Sequence, residues 1–135
     1  MKDFTIKSML IVDDDRDDIY FFSKALETFD TTIGLITAGN GFEALDRLEE
    51  QVPDIILLDL NMPKMNGITF LHTIKKMRHL KDIPVIIYTS HLSVFDVEEL
   101  MELGAYAVFK KPEDFGKTVE TIKGLLEMNF IRMAG

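Results

Sequence analysis

Ile55-Ile56-Leu57-Leu58-Asp59 is an unbroken apolar run closed by a carboxylate, set between Pro53-Asp54 and the turn-forming stretch Leu60 to Asn66. A run that short, apolar at every position, reads as a strand covered on both faces, the mark of a parallel sheet. Working outward, the same grammar recurs. Met9 to Val12 ends in Asp13-Asp14-Asp15, Val85-Ile86-Ile87-Tyr88 closes on Thr89-Ser90, and Tyr106 to Phe109 runs into Lys110-Lys111-Pro112. Ile33 to Thr37 is a further strand candidate. Between the strands lie helical spacings. Ile19, Phe22, Leu26 and Phe29 mark a helix over about 17–29, and Asn40 with Glu43 opens one to about Gln51. Gly67 opens a third along Phe70, Leu71, Ile74 and Met77. Ser93 caps a fourth, with Asp96, Glu98 and Glu99 near its start and Gly104 as its stop. A fifth begins near Glu113 and carries Phe115, Val119, Ile122, Leu125 and Leu126 past Met128. Five strands alternating with five helices predict an α/β fold, a doubly wound parallel sheet with right-handed crossovers.

The chain of 135 residues fits one domain, 1–135, with no repeat, linker or output domain expected. Net charge of −8 argues against a general nucleic-acid surface. Cysteine is absent, which excludes disulfides and thiolate chemistry. The N-terminus lacks signal-peptide character and no apolar run approaches membrane-spanning length, so the expected location is the cytoplasm.

Carboxylates at strand ends sit at the rim where open α/β sheets keep their sites. Asp14 and Asp59 suit a hard divalent cation, Mg²⁺ or Mn²⁺, with the Asn61 backbone carbonyl as a third oxygen and Asp13 holding a metal-bound water. A carboxylate can also attack a phosphoryl group, and Asp59, alone at its strand end, is the candidate nucleophile. Lys111 and the Thr89 hydroxyl are placed to meet the charge on the equatorial oxygens.

Val12-Asp13-Asp14, Leu58-Asp59-Leu60-Asn61-Met62-Pro63-Lys64-Met65-Asn66-Gly67, Tyr88-Thr89-Ser90 and Lys111-Pro112 occur in order along nearly the whole chain. Together they resemble the receiver domain of bacterial two-component response regulators, of the stand-alone, chemotaxis-receiver kind. The resemblance implies a flavodoxin-like fold with strand order 2-1-3-4-5. It implies Mg²⁺-dependent transfer of a phosphoryl group from a kinase phosphohistidine to Asp59, and self-catalysed dephosphorylation. It makes Thr89 and Lys111 the switch and phosphoryl-binding pair, and it makes Asn61 and His91 the positions that tune hydrolysis. Gly67 lets the loop after Asp59 turn into its helix, and Lys111-Pro112 is expected to be cis. The implied partners are a sensor histidine kinase or histidine phosphotransfer protein and a downstream protein.

The sequence departs from that pattern at Val108, where the family usually carries a switch aromatic; Tyr106 stands two residues earlier. An alternative function is therefore a phosphorylation-independent, receiver-like protein-interaction module. A flavodoxin-type cofactor binder fits less well, because acids follow the first strand where a phosphate loop belongs. A magnesium phosphatase shares the chemistry but needs a cap to define its substrate. His72 and His79 carry no motif and read as surface residues. The apolar tail Met128-Asn129-Phe130-Ile131-Arg132-Met133 reads equally as helix packing on its own domain or as a homodimer or partner surface.

Overall fold

The computed structural model describes residues 6–29 and 32–128, with the side chains of 94 and 95 excepted. The strands are β1 (Ser8–Val12), β2 (Gly34–Ala38), β3 (Ile55–Leu58), β4 (Val85–Thr89) and β5 (Ala107–Lys110). The helices are α1 (Arg16–Leu26), α2 (Gly41–Glu50), α3 (Gly67–Lys75), α4 (Val94–Glu102) and α5 (Phe115–Glu127). The sheet runs β2-β1-β3-β4-β5 and every pairing is parallel. The strand order therefore reverses between β1 and β3, which makes the crevice beyond their C-terminal ends the switch point of the fold.

The apolar runs are strands because both faces are covered. Alternate residues point to opposite sides. Leu10, Val12, Ile56, Leu58, Val85 and Ile87 join Phe70, Leu71, Ile74 and Leu100 in one core. Met9, Ile11, Ile55, Leu57, Ile86 and Tyr88 join Phe22, Ile122 and Leu125 in the other. Full burial of each such side chain contributes about 1.5–3 kcal/mol.

Register places the site. Val12 lies opposite Leu58, Leu58 opposite Ile87, and Thr89 opposite Lys110. The ladder continues one residue further, with Asp59 N–H donating to Val12 O (2.9 Å) and Lys111 N–H donating to Thr89 O (2.8 Å). The strand ends are thus level, and the residues that follow them share one rim.

The caps follow the sequence, with three differences. Ser93 and Asp96 form a reciprocal capping box on α4, and Gly104 ends that helix at φ +107°. On α2, Asn40 accepts from Glu43 N–H (2.9 Å), but the Glu43 carboxylate reaches Gly39 N–H (3.1 Å) rather than the cap residue. The fifth helix starts at Phe115 behind the cap Asp114 and stops at Glu127, where Met128 turns extended (φ −69°, ψ 137°) instead of continuing the helix. Asn129 onward, and with it most of the apolar tail and the homodimer expectation, lies outside the described residues. No described helix is long and apolar enough to cross a membrane.

Candidate functional site

Asp13, Asp14 and Asp59 converge at the switch point, each offering a carboxylate oxygen within 4.8 Å of the others. Asp13 and Asp59 follow β1 and β3 directly and are buried, whereas Asp14 is exposed. Lys111 comes from the end of β5. Its Nζ lies 2.7 Å from Asp13 Oδ2, 2.8 Å from Asp18 Oδ2 and 3.7 Å from Asp59 Oδ2. Thr89 is fully buried at the end of β4, and its Oγ1 has no hydrogen-bond partner. A buried hydroxyl without a protein partner is costly, and at a sheet rim lined by acids it marks Thr89 as a candidate site residue. Asn61 and His91 are exposed and line one open depression with Asp14, Met62 and Pro63.

The electrostatics point the same way. Burial, aided by the charge on Asp59, pushes the Asp13 carboxyl up to about 6 despite its bonds to Lys111 and the Asp15 amide. Burial opposes charge on Lys111 as well. There the hydrogen bonds to Asp13 and Asp18, with the pull of Asp13 and Asp59, prevail and hold the ammonium above its ordinary value. One ammonium thus serves a cluster of acids, and a divalent cation among the oxygens of Asp13, Asp14 and Asp59 would relieve the remaining repulsion. The donor set, all oxygen and open to solvent at Asp14, fits Mg²⁺ or Mn²⁺.

Asp13 carries a stability consequence. Its folded pKa of about 6 lies above the ordinary 3.8, so the folded state binds this proton more tightly. Its contribution is most favourable below the ordinary value and is lost as pH rises through about 6. In metal-free protein, Asp13→Asn is therefore expected to raise stability by about 1–3 kcal/mol near neutral pH. The gain should vanish near pH ~4. Urea unfolding in EDTA at the two pH values measures it, and an Asn variant no more stable at neutral pH contradicts it.

Two details differ from the sequence reading. The Lys111–Pro112 bond is trans, not cis. The tertiary amide leaves only about 0.5–1 kcal/mol between the isomers, so the motif alone does not choose one. Tyr106 does not stand in for the missing aromatic at Val108. It precedes β5 and donates its N–H to Val85 O (2.8 Å), at the far end of β4 from Thr89. Four residues of strand separate Val85 from Thr89, roughly 13 Å, beyond a tyrosine's reach. Val108 lies opposite Ile87 and packs into the core beside α3 and α4.

Asp18 is the site residue that the sequence reading misses. It stands in the first turn of α1, whose cap Asp15 accepts from Asp17 N–H (2.9 Å) and Asp18 N–H (3.2 Å). An acid in a first turn is already explained by the helix dipole. The only other signal is that the acidic run at 13–15 resumes at 17–18.

Comparison with known proteins agrees with this geometry. The family model described as the response regulator receiver domain matches residues 9–123. The polar-differentiation response regulator DivK of Brucella anthropi is 34% identical over 120 residues, covering 89% of this chain and 96% of that one. The Mn²⁺-bound form of response regulator Rcp1 is 28% identical, with a TM-score of 0.81 over 95% of this chain and 97% of that one. The phosphorylated cyanobacterial phytochrome response regulator RcpA is also 28% identical, with a TM-score of 0.84 over 93% and 94%. Receiver domains bind a divalent metal at an acidic pocket and interact with kinases and downstream targets; an acidic cluster of that kind is present here. By its sequence match, its strand order and the level rim of its sheet, this chain belongs to the response regulator receiver domains.

Proposed function

We propose that this protein is a phosphoacceptor of a two-component phosphorelay, with Asp59 as the residue modified. The observation that carries the reading is a buried carboxylate beside two further acids, with the Lys111 ammonium 3.7 Å away and a partnerless Thr89 hydroxyl at the neighbouring strand end. An Asp59 oxygen forms a bond to phosphorus while the bond from phosphorus to the donor's imidazole nitrogen breaks, and the electron pair leaves with the imidazole. Lys111 meets one equatorial oxygen of the phosphoryl group, and the Thr89 hydroxyl another. Asp14, Asp59 and the Asn61 carbonyl would hold Mg²⁺, with Asp13 acting through a water, and the ion would supply charge neutralisation at the phosphoryl oxygens.

The donor is a sensor histidine kinase or a histidine phosphotransfer protein, and a downstream protein reads the modified state in the cytoplasm. Asn61 and His91, flanking the open side of the site, set the access of hydrolytic water. Single-domain architecture is supported by the DivK relative, matched over 96% of its length. Val108 favours a second reading, a phosphate-independent interaction module, because an aliphatic side chain replaces the switch aromatic.

Acetyl phosphate with Mg²⁺ separates the two. The expected result is the mass of one added phosphoryl group, mapped to Asp59 and abolished by EDTA. An unmodified protein favours the interaction module.

A further inference from the structure

The ammonium that the phosphoryl group needs is engaged elsewhere. Lys111 Nζ lies within hydrogen-bond distance of Asp13 (2.7 Å) and Asp18 (2.8 Å) but not of Asp59 (3.7 Å). The Lys111 backbone is tied to β4 through Thr89 O at 2.8 Å, so only its side chain is free to choose among these anions. Asp13 belongs to the acidic cluster itself. Asp18 does not: it reaches across from α1, ninety-three residues away in sequence, and its own backbone is fixed by the Asp15 cap. Its carboxylate is about one-third exposed, while the lysine is buried, so Asp18 draws the ammonium toward the rim.

We propose that Asp18 is a positioning residue that competes with the phosphoryl group for Lys111. The inference rests on the receiver function proposed above and adds to it a residue that sets how readily the site is occupied. In the unmodified protein Asp18 holds Lys111 on the α1 side of the crevice. An anion on Asp59 must detach it, and that cost weakens binding of the anion. Removing the charge of Asp18 leaves the ammonium with Asp13 as its one close anion, nearer the Asp59 side of the crevice, without touching the proposed nucleophile or the proposed metal ligands.

The test is a titration with beryllofluoride, a phosphoryl mimic, in excess Mg²⁺. Wild type, Asp18→Asn, Asp18→Glu, Lys111→Ala and the Asp18→Asn/Lys111→Ala double variant are compared. Asp18→Asn should lower the half-saturating concentration about three- to tenfold, the scale of a partly exposed ion pair. Asp18→Glu, which keeps the charge, should stay near wild type. On the Lys111→Ala background the Asn substitution should have no effect, because the coupling runs through the lysine.

An unchanged or weakened affinity in Asp18→Asn overturns the proposal. So does a gain that persists without Lys111, since that is general repulsion of anions by a negative protein. A second reading needs no anion: in the free protein the NMR resonance of the Lys111 side-chain ammonium should move in Asp18→Asn, and an unmoved resonance also overturns the inference. Failure of the receiver function looks different. In that case no variant, wild type included, binds beryllofluoride or is modified by acetyl phosphate, and the inference falls with it.

Discussion

Asp59→Asn should reduce modification by acetyl phosphate by on the order of a thousandfold or more, leaving a folded protein of at least wild-type stability. Asparagine keeps the volume and removes the nucleophilic charge. The neighbouring acids are poor substitutes for distinct reasons. Asp13 has Oδ2 on Lys111 at 2.7 Å and Oδ1 on the Asp15 amide at 3.0 Å, so both of its oxygens are engaged. Asp14 is exposed to water and makes no ion pair with Lys111 among the described residues. Stability should not suffer, because the charge of Asp59 is one of the causes that raise the Asp13 carboxyl, and removing it relaxes that conflict. Intact-mass kinetics with peptide mapping measures the effect. Rapid modification of the Asn variant at Asp13 or Asp14 would show that the cluster, not Asp59, is the acceptor.

Asp59 stands out in the sequence for a physical reason. A parallel strand covered on both faces must be apolar at every position, so Ile55 to Leu58 and Val85 to Ile87 declare themselves. The first polar residue after each run then marks the rim, and Asp13, Asp59 and Thr89 are found there. The same rule alone would have picked Lys110, the first polar residue after the apolar run; Lys111, one step beyond β5, is legible only through the Lys111-Pro112 motif.

What the sequence hid are relations that no local pattern encodes. Asp18 obeys the rule for first-turn acids whether or not a lysine from the other end of the chain meets it. The trans Lys111–Pro112 bond turns on a small energy difference, not on composition. Tyr106 shares the parity of Val108, but the register that seats it against Val85 puts it at the wrong end of the strand. Parity is written in the sequence; height along the strand follows from pairing.

Gly67 shows the same distinction most sharply, and its substitution has the other large expected effect. Read from sequence, it eases a turn. In the structure its backbone is not left-handed, since Gly104 is the one glycine with positive φ among the described residues. Its need is for space. A Cβ built on Gly67 lies 2.3 Å from Asp59 O, 2.8 Å from Leu60 Cα and 3.1 Å from Asp59 C. These are backbone atoms of the Asp59 segment, so no side chain can swing aside to make room. Gly67 N–H also donates to Leu60 O at 3.0 Å, which clamps the start of α3 onto the end of β3. Gly67→Ala must therefore push α3 and the Asp59 backbone apart, which is overpacking against main chain, at an expected cost of about 2–4 kcal/mol. The displacement moves Asp59, the proposed nucleophile, relative to Lys111 and Thr89, and a shift of about 1 Å in such a site slows reaction by about a hundredfold. Gly124→Ala supplies the control. It lies within α5 with nothing within 4 Å of its added Cβ, so alanine there should stabilise by about 0.5–1 kcal/mol. Urea unfolding and acetyl phosphate kinetics on the two variants should move in opposite directions for stability, with phosphorylation impaired only in Gly67→Ala. Equal behaviour of the two alanines would mean that α3 can retreat without disturbing Asp59, and that the tight contact between them does not hold the acceptor in place.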